Sequence, residues 1–354
     1  MRPSSSGTKF VVVGATGKVG REVLSILLSR GVSAHEITAA ASPRSAGSIL
    51  SVRDERFFVL DTNDLDFSDH CIAIFCAGSE VSKSLAPEAI RRGCYVIDNS
   101  SCFRMEDDVP LIIPEINFSD LKNYPNPKLI SNPNCSTIQM LMAIKPLHDV
   151  FNVKEIVVST YQSVSGAGQK GVEELLLQTP NSLLDNPITP KHFKKQIAFN
   201  VIPQIDMMTD SLYTKEELKM IYETKKILNL PDISITATCV RVPVFVGHSV
   251  SVFAKFEDNV DIEVAREAFD KFPGVKVVDD PGNNYITPVD AAGLDEVFIS
   301  RIRRHPSIPN ALSFWCVSDN LRKGAALNAV QIALQLLEES DRINTRCYND
   351  SDQT

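Results

Sequence analysis

No run of apolar residues in this 354-residue chain reaches the length of a membrane-spanning helix, and the polar opening, Met1 to Gly7, lacks the apolar core of a secretory signal. A soluble, cytoplasmic protein is the expectation. Basic excess is missing as well. With 44 acidic residues against 36 basic ones, a formal charge of -8 and a pI near 5.4, neither nucleic acid nor an anionic membrane surface has an electrostatic hold. Eight cysteines are present, yet none forms a CxxC pair and no spacing recurs, so neither zinc nor a disulfide framework is expected and no metal is assigned. A reducing compartment fits that usage. Internal repeats and low-complexity tracts are absent too. What remains is an ordinary globular composition, 44% apolar and 23% charged, long enough for two domains with separate cores.

The stretch that stands out is Ser131-Asn132-Pro133-Asn134-Cys135-Ser136-Thr137. An apolar run, Lys128 to Ile130, enters it, and a helical pattern (Ile138, Leu141, Met142, Ile144) leaves it. Cys135 is therefore expected at the first turn of a helix, where unpaired N–H groups and the macrodipole favour a thiolate and lower its pKa. The polar neighbours argue against a buried structural cysteine.

Earlier in the chain, Lys9 to Val13 predicts a buried parallel strand, followed by Gly14-Ala15-Thr16-Gly17-Lys18-Val19-Gly20 and a helix to Gly31. Glycines at that spacing let the backbone approach a pyrophosphate and aim a helix N-terminus at it. After the second strand (Ile37 to Ala41) there is no acid for a ribose 2′-hydroxyl. Ser42, Arg44 and Ser45 stand there instead, suited to an extra phosphate, which favours NADP over NAD. Strands at Cys71 to Ala77 and Tyr95 to Ile97 continue a βαβ order. The segment Asp98 to Arg104 lies beyond the last of them, where such sheets bind ligands, so Asn99 and Arg104 are candidates.

From Val153 the pattern turns to strands (153 to 160, 233 to 242, 248 to 256, 296 to 303, 311 to 318), with a second glycine-rich loop, Gln162 to Gly168, and a loop from Pro180 to Pro190. A helix from Thr214 to Leu228 carries a capping box that occupies Glu217. Glu216 and Lys219 share a face at i, i+3; they form either a weak surface pair or two opposite charges for a zwitterion. Arg241 and His248 bracket a Pro/Gly turn, and imidazole is the side chain with an ordinary pKa nearest neutrality. Asp319 to Gly324 precedes a periodic helix (Ala325, Leu327, Val330, Leu334, Leu337) expected to pack back on the first half.

Taken in order from about Lys9 to about Glu339, these blocks resemble the aspartate-semialdehyde dehydrogenase family. The resemblance implies an N-terminal Rossmann-like, doubly wound parallel sheet with a second α+β catalytic domain built on a large mixed sheet. Residues 1–133, completed by 322–354, would bind NADP, and 134–321 would form a catalytic and dimerisation domain. Cys135 would be the acyl-enzyme nucleophile, with Asn134 beside it, Gln162 orienting the substrate and His248 as general acid/base. Arg241 would grip the substrate carboxylate and Glu216 its ammonium, while Arg104, Lys219 and Asn99 would hold phosphate. Gly14, Thr16, Gly17, Lys18, Val19, Gly20, Ser42, Arg44, Ser45, Ser165, Gly166 and Asn320 would contact NADP. The implied reaction is NADPH-dependent reduction of L-4-aspartyl phosphate to L-aspartate 4-semialdehyde and phosphate through a thioester, on the route to lysine (diaminopimelate), threonine and methionine. A homodimer is implied, with small molecules as its other partners. Cys76 and Cys102 stand where smaller or hydroxylated residues were expected.

Three other readings stay open on the sequence: an N-acetyl-glutamyl-phosphate reductase, a cysteine hydrolase using Cys135 and His248, and a silent dinucleotide-binding scaffold or redox sensor. The acid and cation set suits a free ammonium better than an acylated amine. A hydrolase leaves the glycine loop and the cations without a purpose, and intact Cys135 and His248 speak against a silent scaffold.

Overall fold

The structure, a computed structural model, describes residues 9–124, 127–280, 282 and 284–351. The polar leader Met1 to Gly7 lies outside them. The first half contains β1 (Phe10–Val13), α1 (Lys18–Ser29), β2 (Ile37–Ala41), β3 (Ile49–Val52), β4 (Glu55–Asp61), β5 (Ile72–Phe75), α2 (Ser79–Arg91), β6 (Tyr95–Asp98), α3 (Pro114–Asn117) and β7 (Leu129–Ser131). The strands form one sheet in the order β3-β4-β2-β1-β5-β6-β7, parallel except for the β3–β4 hairpin.

Alternation explains why β1 is apolar throughout. Phe10 and Val12 enter a core with Val23, Leu24 and Leu27 of α1, whereas Val11 and Val13 face Ala86 and Ala89 of α2 on the other side. Both faces of the sheet are thus covered, the condition under which a parallel strand reads as a continuous hydrophobic run. Strand order reverses between β1 and β5, so the loops that leave these two strands flank a crevice at the sheet's carboxyl edge.

The second half contains α4 (Cys135–Phe151), β8 (Val153–Gln162), α5 (Gly168–Leu183), α6 (Lys215–Leu228), β9 (Ser234–Arg241), β10 (His248–Phe256), α7 (Ile262–Lys271), β11 (Val275–Val277), α8 (Pro288–Ala291), β12 (Val297–Arg304), β13 (Ala311–Ser318) and α9 (Leu327–Ser351). Its six strands form a mixed sheet, β11-β12-β13-β10-β8-β9. Residues Ser136 through Ile144 of α4 are buried without interruption, as befits a helix enclosed on all sides by one face of this sheet and by α6 and α7. The opposite sheet face is open, with Val157 and Tyr161 exposed and a ring contact between Tyr161 and Trp315 at 5.3 Å.

Two expectations need correction. The segment read as a loop from Pro180 begins inside α5, which ends at Leu183. That helix buries Gly171, Glu174, Leu175 and Gln178, a helical spacing whose polar members hide it from a search for apolar periodicity. Glu174 accepts backbone N–H groups from Lys191 and His192, and Gln178 those of Ile197 and Ala198, so the buried polar atoms are satisfied. The second half is also richer in helix than its strand pattern suggested.

The chain then returns to the first core. Leu327, Val330 and Leu336 of α9 pack with α1 residues, as the periodicity predicts. A π-helical turn, Arg322–Ala326, precedes α9 and is pinned by ion pairs: Arg322 to Asp295 at 2.5 Å and to Glu22, and Lys323 to Glu115 at 2.6 Å.

Candidate active site

The glycine loop after β1 owes its shape to contacts that tolerate no side chain. Gly14 has φ +89°, and a Cβ there would lie 2.7 Å from the Cys76 carbonyl carbon at the end of β5. A Cβ on Gly20 would lie 2.2 Å from the Gly14 carbonyl oxygen. Loop and helix are therefore pressed against the switch point. No side chain caps α1, which leaves the amides beside Thr16, Lys18 and Val19 as the natural anion site. This cradle fits a dinucleotide pyrophosphate. Ser42, Arg44 and Ser45 follow β2 at the next strand end, with Ser42 and Arg44 exposed.

Cys135 is the first residue of α4. Asn134 caps that helix, its side-chain oxygen accepting from the amides of Ser136 (3.0 Å) and Thr137 (3.3 Å). Across from the sulfur, a Cβ on Gly324 would stand 2.9 Å from the Cys135 Cβ, so the π-helical turn forms a close wall. The expected low thiol pKa is not what this environment gives. Burial, then the Glu216 charge, push the thiol up to about 11, while Arg241 and Arg104 pull it down.

Helix α6 presents Glu216, Lys219, Glu223 and Lys226 toward this point. Glu216 is buried, so it is no surface pair. Its Oε1 accepts from Asn134 Nδ2 (2.8 Å) and Gln162 Nε2 (3.1 Å), and its Oε2 from Lys219 Nζ (3.1 Å). Burial alone would raise this carboxyl, but the Lys219 charge and the three donors hold it at about 2. Lys219 also reaches Asp206 at 3.0 Å. Its ammonium is held above its usual range: burial opposes the charge, and Glu216 and Asp206 outweigh it.

Arg104, likewise, is buried rather than solvated. Its Nη1 donates to Glu223 Oε1 and its Nη2 to the Asn99 carbonyl, each at 2.9 Å, while its Nε has no partner among the described residues. The Asn99 side chain is engaged with the Phe75 carbonyl and with Asn132.

Strand register assembles the remainder. Gln162 ends β8 opposite Arg241 at the end of β9, and His248 opens β10 opposite Ser318, which leads to Asn320. The backbone of His248 is held by Gln139, one turn beyond Cys135 on α4 (3.0 Å). Arg241 donates from Nη1 to the Ser163 carbonyl at 2.7 Å and, among the described residues, has no carboxylate partner. Burial draws its pKa below the usual arginine value.

His248 is fully buried. Its Nδ1 accepts the Ser163 amide at 3.0 Å, which places the neutral ring's proton on Nε2, an atom without a partner among the described residues. Burial, and then Arg241, take this imidazole down to about 3, so the near-neutral value expected for a proton shuttle does not hold here. Gly166 lacks a side chain where one would meet Arg241 Nη1 at 2.9 Å and His248 Nε2 at 3.1 Å. Asn320 Oδ1 gathers the hydroxyls of Ser163 and Ser165 and the Gly247 amide, at 3.0 to 3.1 Å.

The structure thus brings Cys135, Asn134, Gln162, Glu216, Lys219, Arg241, His248, Arg104 and Asn99 together at one end of the second sheet, facing the crevice of the first. Sequence reasoning missed Glu223, Ser163, Gln139 and Gly324. Only Glu223 carried a signal, since Glu216, Lys219, Glu223 and Lys226 follow i, i+3, i+7 and i+10 on α6. Cys76 and Cys102 lie near the crevice with their thiols pushed up by burial.

A dinucleotide crevice opening on a helix-start cysteine is the arrangement of a dehydrogenase that works on a carbonyl carbon. Two family profiles match: "Semialdehyde dehydrogenase, NAD binding domain" over residues 9–124, and "Semialdehyde dehydrogenase, dimerisation domain" over residues 144–323. An aspartate-semialdehyde dehydrogenase of Aquifex aeolicus (strain VF5) is 47% identical over 337 residues, covering 94% of this chain and 99% of that one. That of Bacillus subtilis (strain 168) is 45% identical, covering 93% and 97%. The crystal structure of aspartate semialdehyde dehydrogenase II from Vibrio cholerae superposes with a TM-score of 0.91 at 42% identity, covering 94% of this chain and 99% of that one. The chain belongs to the aspartate-semialdehyde dehydrogenase family.

Proposed function

We propose that the chain catalyses NADPH-dependent conversion of L-4-aspartyl phosphate to L-aspartate 4-semialdehyde and phosphate, through a thioester on Cys135. The observation that carries this reading is electrostatic. A buried acid, Glu216, and a buried guanidinium without a carboxylate partner among the described residues, Arg241, both act on the same cysteine. An α-ammonium and an α-carboxylate would complete those two charges and place a side-chain acyl group at the sulfur. The Vibrio cholerae enzyme has also been crystallised in complex with ASA.

Ligand charge activates the thiol in this scheme. An ammonium paired with Glu216 removes that acid's repulsion, and an α-carboxylate on Arg241 cancels that cation's smaller pull, leaving Arg104 and the start of α4 to stabilise the thiolate. The thiolate attacks the acyl carbon, and the phosphate departs toward Arg104 and Lys219. A dinucleotide held on the Gly14 to Gly20 loop would supply the hydride that reduces the thioester. His248, held with its proton on Nε2, donates a hydrogen bond to the oxygen that becomes negative, which steadies that charge before the thiolate is expelled. Arg44 with Ser42 and Ser45 would meet the 2′-phosphate of NADP. Ser165 and Asn320 would line the nicotinamide end.

A free ammonium suits ionised Glu216 better than the acylated amine of the N-acetyl-glutamyl-phosphate reductase reaction. The open face around Val157, Tyr161 and Trp315 would be covered by a second copy of the chain, giving a homodimer in the cytoplasm; no helix among the described residues is long and apolar enough to cross a membrane. The test follows NADPH formation from the semialdehyde with and without phosphate, in wild type and Cys135→Ala. Activity surviving loss of the thiol, or loss of phosphate, would overturn the mechanism.

A further inference from the structure

We infer that Glu223 is a positioning residue for phosphate, acting through Arg104. The carboxylate is almost wholly buried, and its two oxygens have different tasks. Oε1 accepts from Arg104 Nη1 at 2.9 Å, and Oε2 accepts the backbone N–H of Asn134 at 2.6 Å. One side chain therefore ties the guanidinium to the residue immediately before the nucleophile. The distance from cation to sulfur is fixed by a rigid fork rather than left to a long flexible side chain.

What Glu223 leaves free is as telling as what it holds. Arginine has five N–H donors; Glu223 takes one on Nη1, the Asn99 carbonyl takes one on Nη2, and Nε–H is buried with no partner among the described residues. A buried unpaired donor is costly unless something fills it, and a phosphate oxygen would. The loop that carries Arg104 is fastened from the same helix. Lys226, three residues beyond Glu223, donates to the carbonyls of Arg104 (2.9 Å), Glu106 (2.6 Å) and Val109 (2.8 Å). Side chain and backbone of Arg104 are thus both set by α6, the helix that also carries Glu216 and Lys219.

This inference rests on the reading of Arg104 as a phosphate-holding residue, and the experiment separates the two. Steady-state kinetics in the phosphorylating direction are measured for wild type, Glu223→Gln, Arg104→Lys and the double variant, with Tm recorded for each. In Glu223→Gln the amide presents N–H to one of two donors, so one tie is lost. The KM for phosphate should rise about tenfold, the scale of one charge-assisted hydrogen bond, with the KM for semialdehyde and for NADP within about twofold of wild type. Because Glu223 acts through Arg104, the acid's substitution should add little to Arg104→Lys. The inference is overturned if Glu223→Gln leaves phosphate KM unchanged, if all three KM values rise together with a fall in Tm, or if the double variant is additive. Should Arg104→Lys itself leave phosphate KM unchanged, it is the assignment of Arg104 that fails. A shortened acid, Glu223→Asp, reaches only one of its partners and should fall between wild type and the amide.

Discussion

The state of His248 makes a sharp prediction about acid sensitivity. A base whose pKa is about 3 in the folded chain and near 6.5 when unfolded is neutral in the fold and gains a proton on unfolding below pH 6.5. Its contribution is therefore intact above pH 6.5 and is lost progressively as pH falls toward 3. From pH 7.5 to pH 5 a single such proton amounts to about 2 kcal/mol. In a chain of this size that corresponds to a Tm change of about 3 °C.

Other acid-sensitive groups act over part of the same range. Glu216, held at about 2, weakens the fold as pH drops below its ordinary 4.5, and the groups facing His248 are Arg241 and Glu216. The informative quantity is consequently a difference: Tm at pH 7.5 minus Tm at pH 5, wild type against His248→Asn. Wild type should lose about 3 °C more than the variant. Equal losses would mean that the ring titrates normally, and the neutral Nε2–H donor assigned to the mechanism would have to be abandoned. A direct reading comes from the imidazole nitrogen signals, which should report a proton on Nε2 from pH 8 down to pH 5.

Glu216→Gln should accelerate iodoacetamide alkylation of Cys135 at pH 8, because the acid that raises the thiol pKa is gone, while raising the KM for semialdehyde; slower alkylation would contradict the charge argument. Gly324→Ala puts a methyl group 2.9 Å from the Cys135 Cβ and should lower kcat at least about tenfold with NADP binding unchanged, and full activity would show that the wall is soft. Arg44→Ala should raise the KM for NADP far more than that for NAD; equal effects would remove Arg44 from the 2′-phosphate. Arg241→Lys should be damaging, since a point charge cannot replace a two-pronged donor, and unchanged kinetics would refute the carboxylate grip. Val157→Arg, placed in the open sheet face, should shift sedimentation from dimer to monomer, and an unchanged profile would move the interface elsewhere.

Much of the architecture could be read from residue patterns, for a physical reason. β1 is apolar on both faces because helices cover both, and the placing of Gly14 and Gly20 reflects contacts with the end of β5 and within the loop that admit no Cβ. Cys135 and its capping Asn134 were visible because helix starts have a local signature. The electrostatics were not local. Whether Cys135 is an acidic or a reluctant thiol depends on burial and on Glu216, Arg241 and Arg104, all distant in sequence, and the tautomer of His248 depends on an amide 85 positions away. Helix α5 escaped notice because its buried face contains Glu174 and Gln178, whose partners lie in a loop no periodicity describes.

The wall opposite Cys135 has a consequence for any attempt to divide the molecule. The helix that bears the sulfur is rooted in the second core, yet the surface it abuts is the π-helical turn through which the chain departs for the first. Shortening the protein just before Arg322 would strip the nucleophile of its backing and take away α9, part of the first core, in one cut. Neither half can be isolated as a working module, and cofactor binding and sulfur chemistry should be lost together when the last thirty-odd residues are removed.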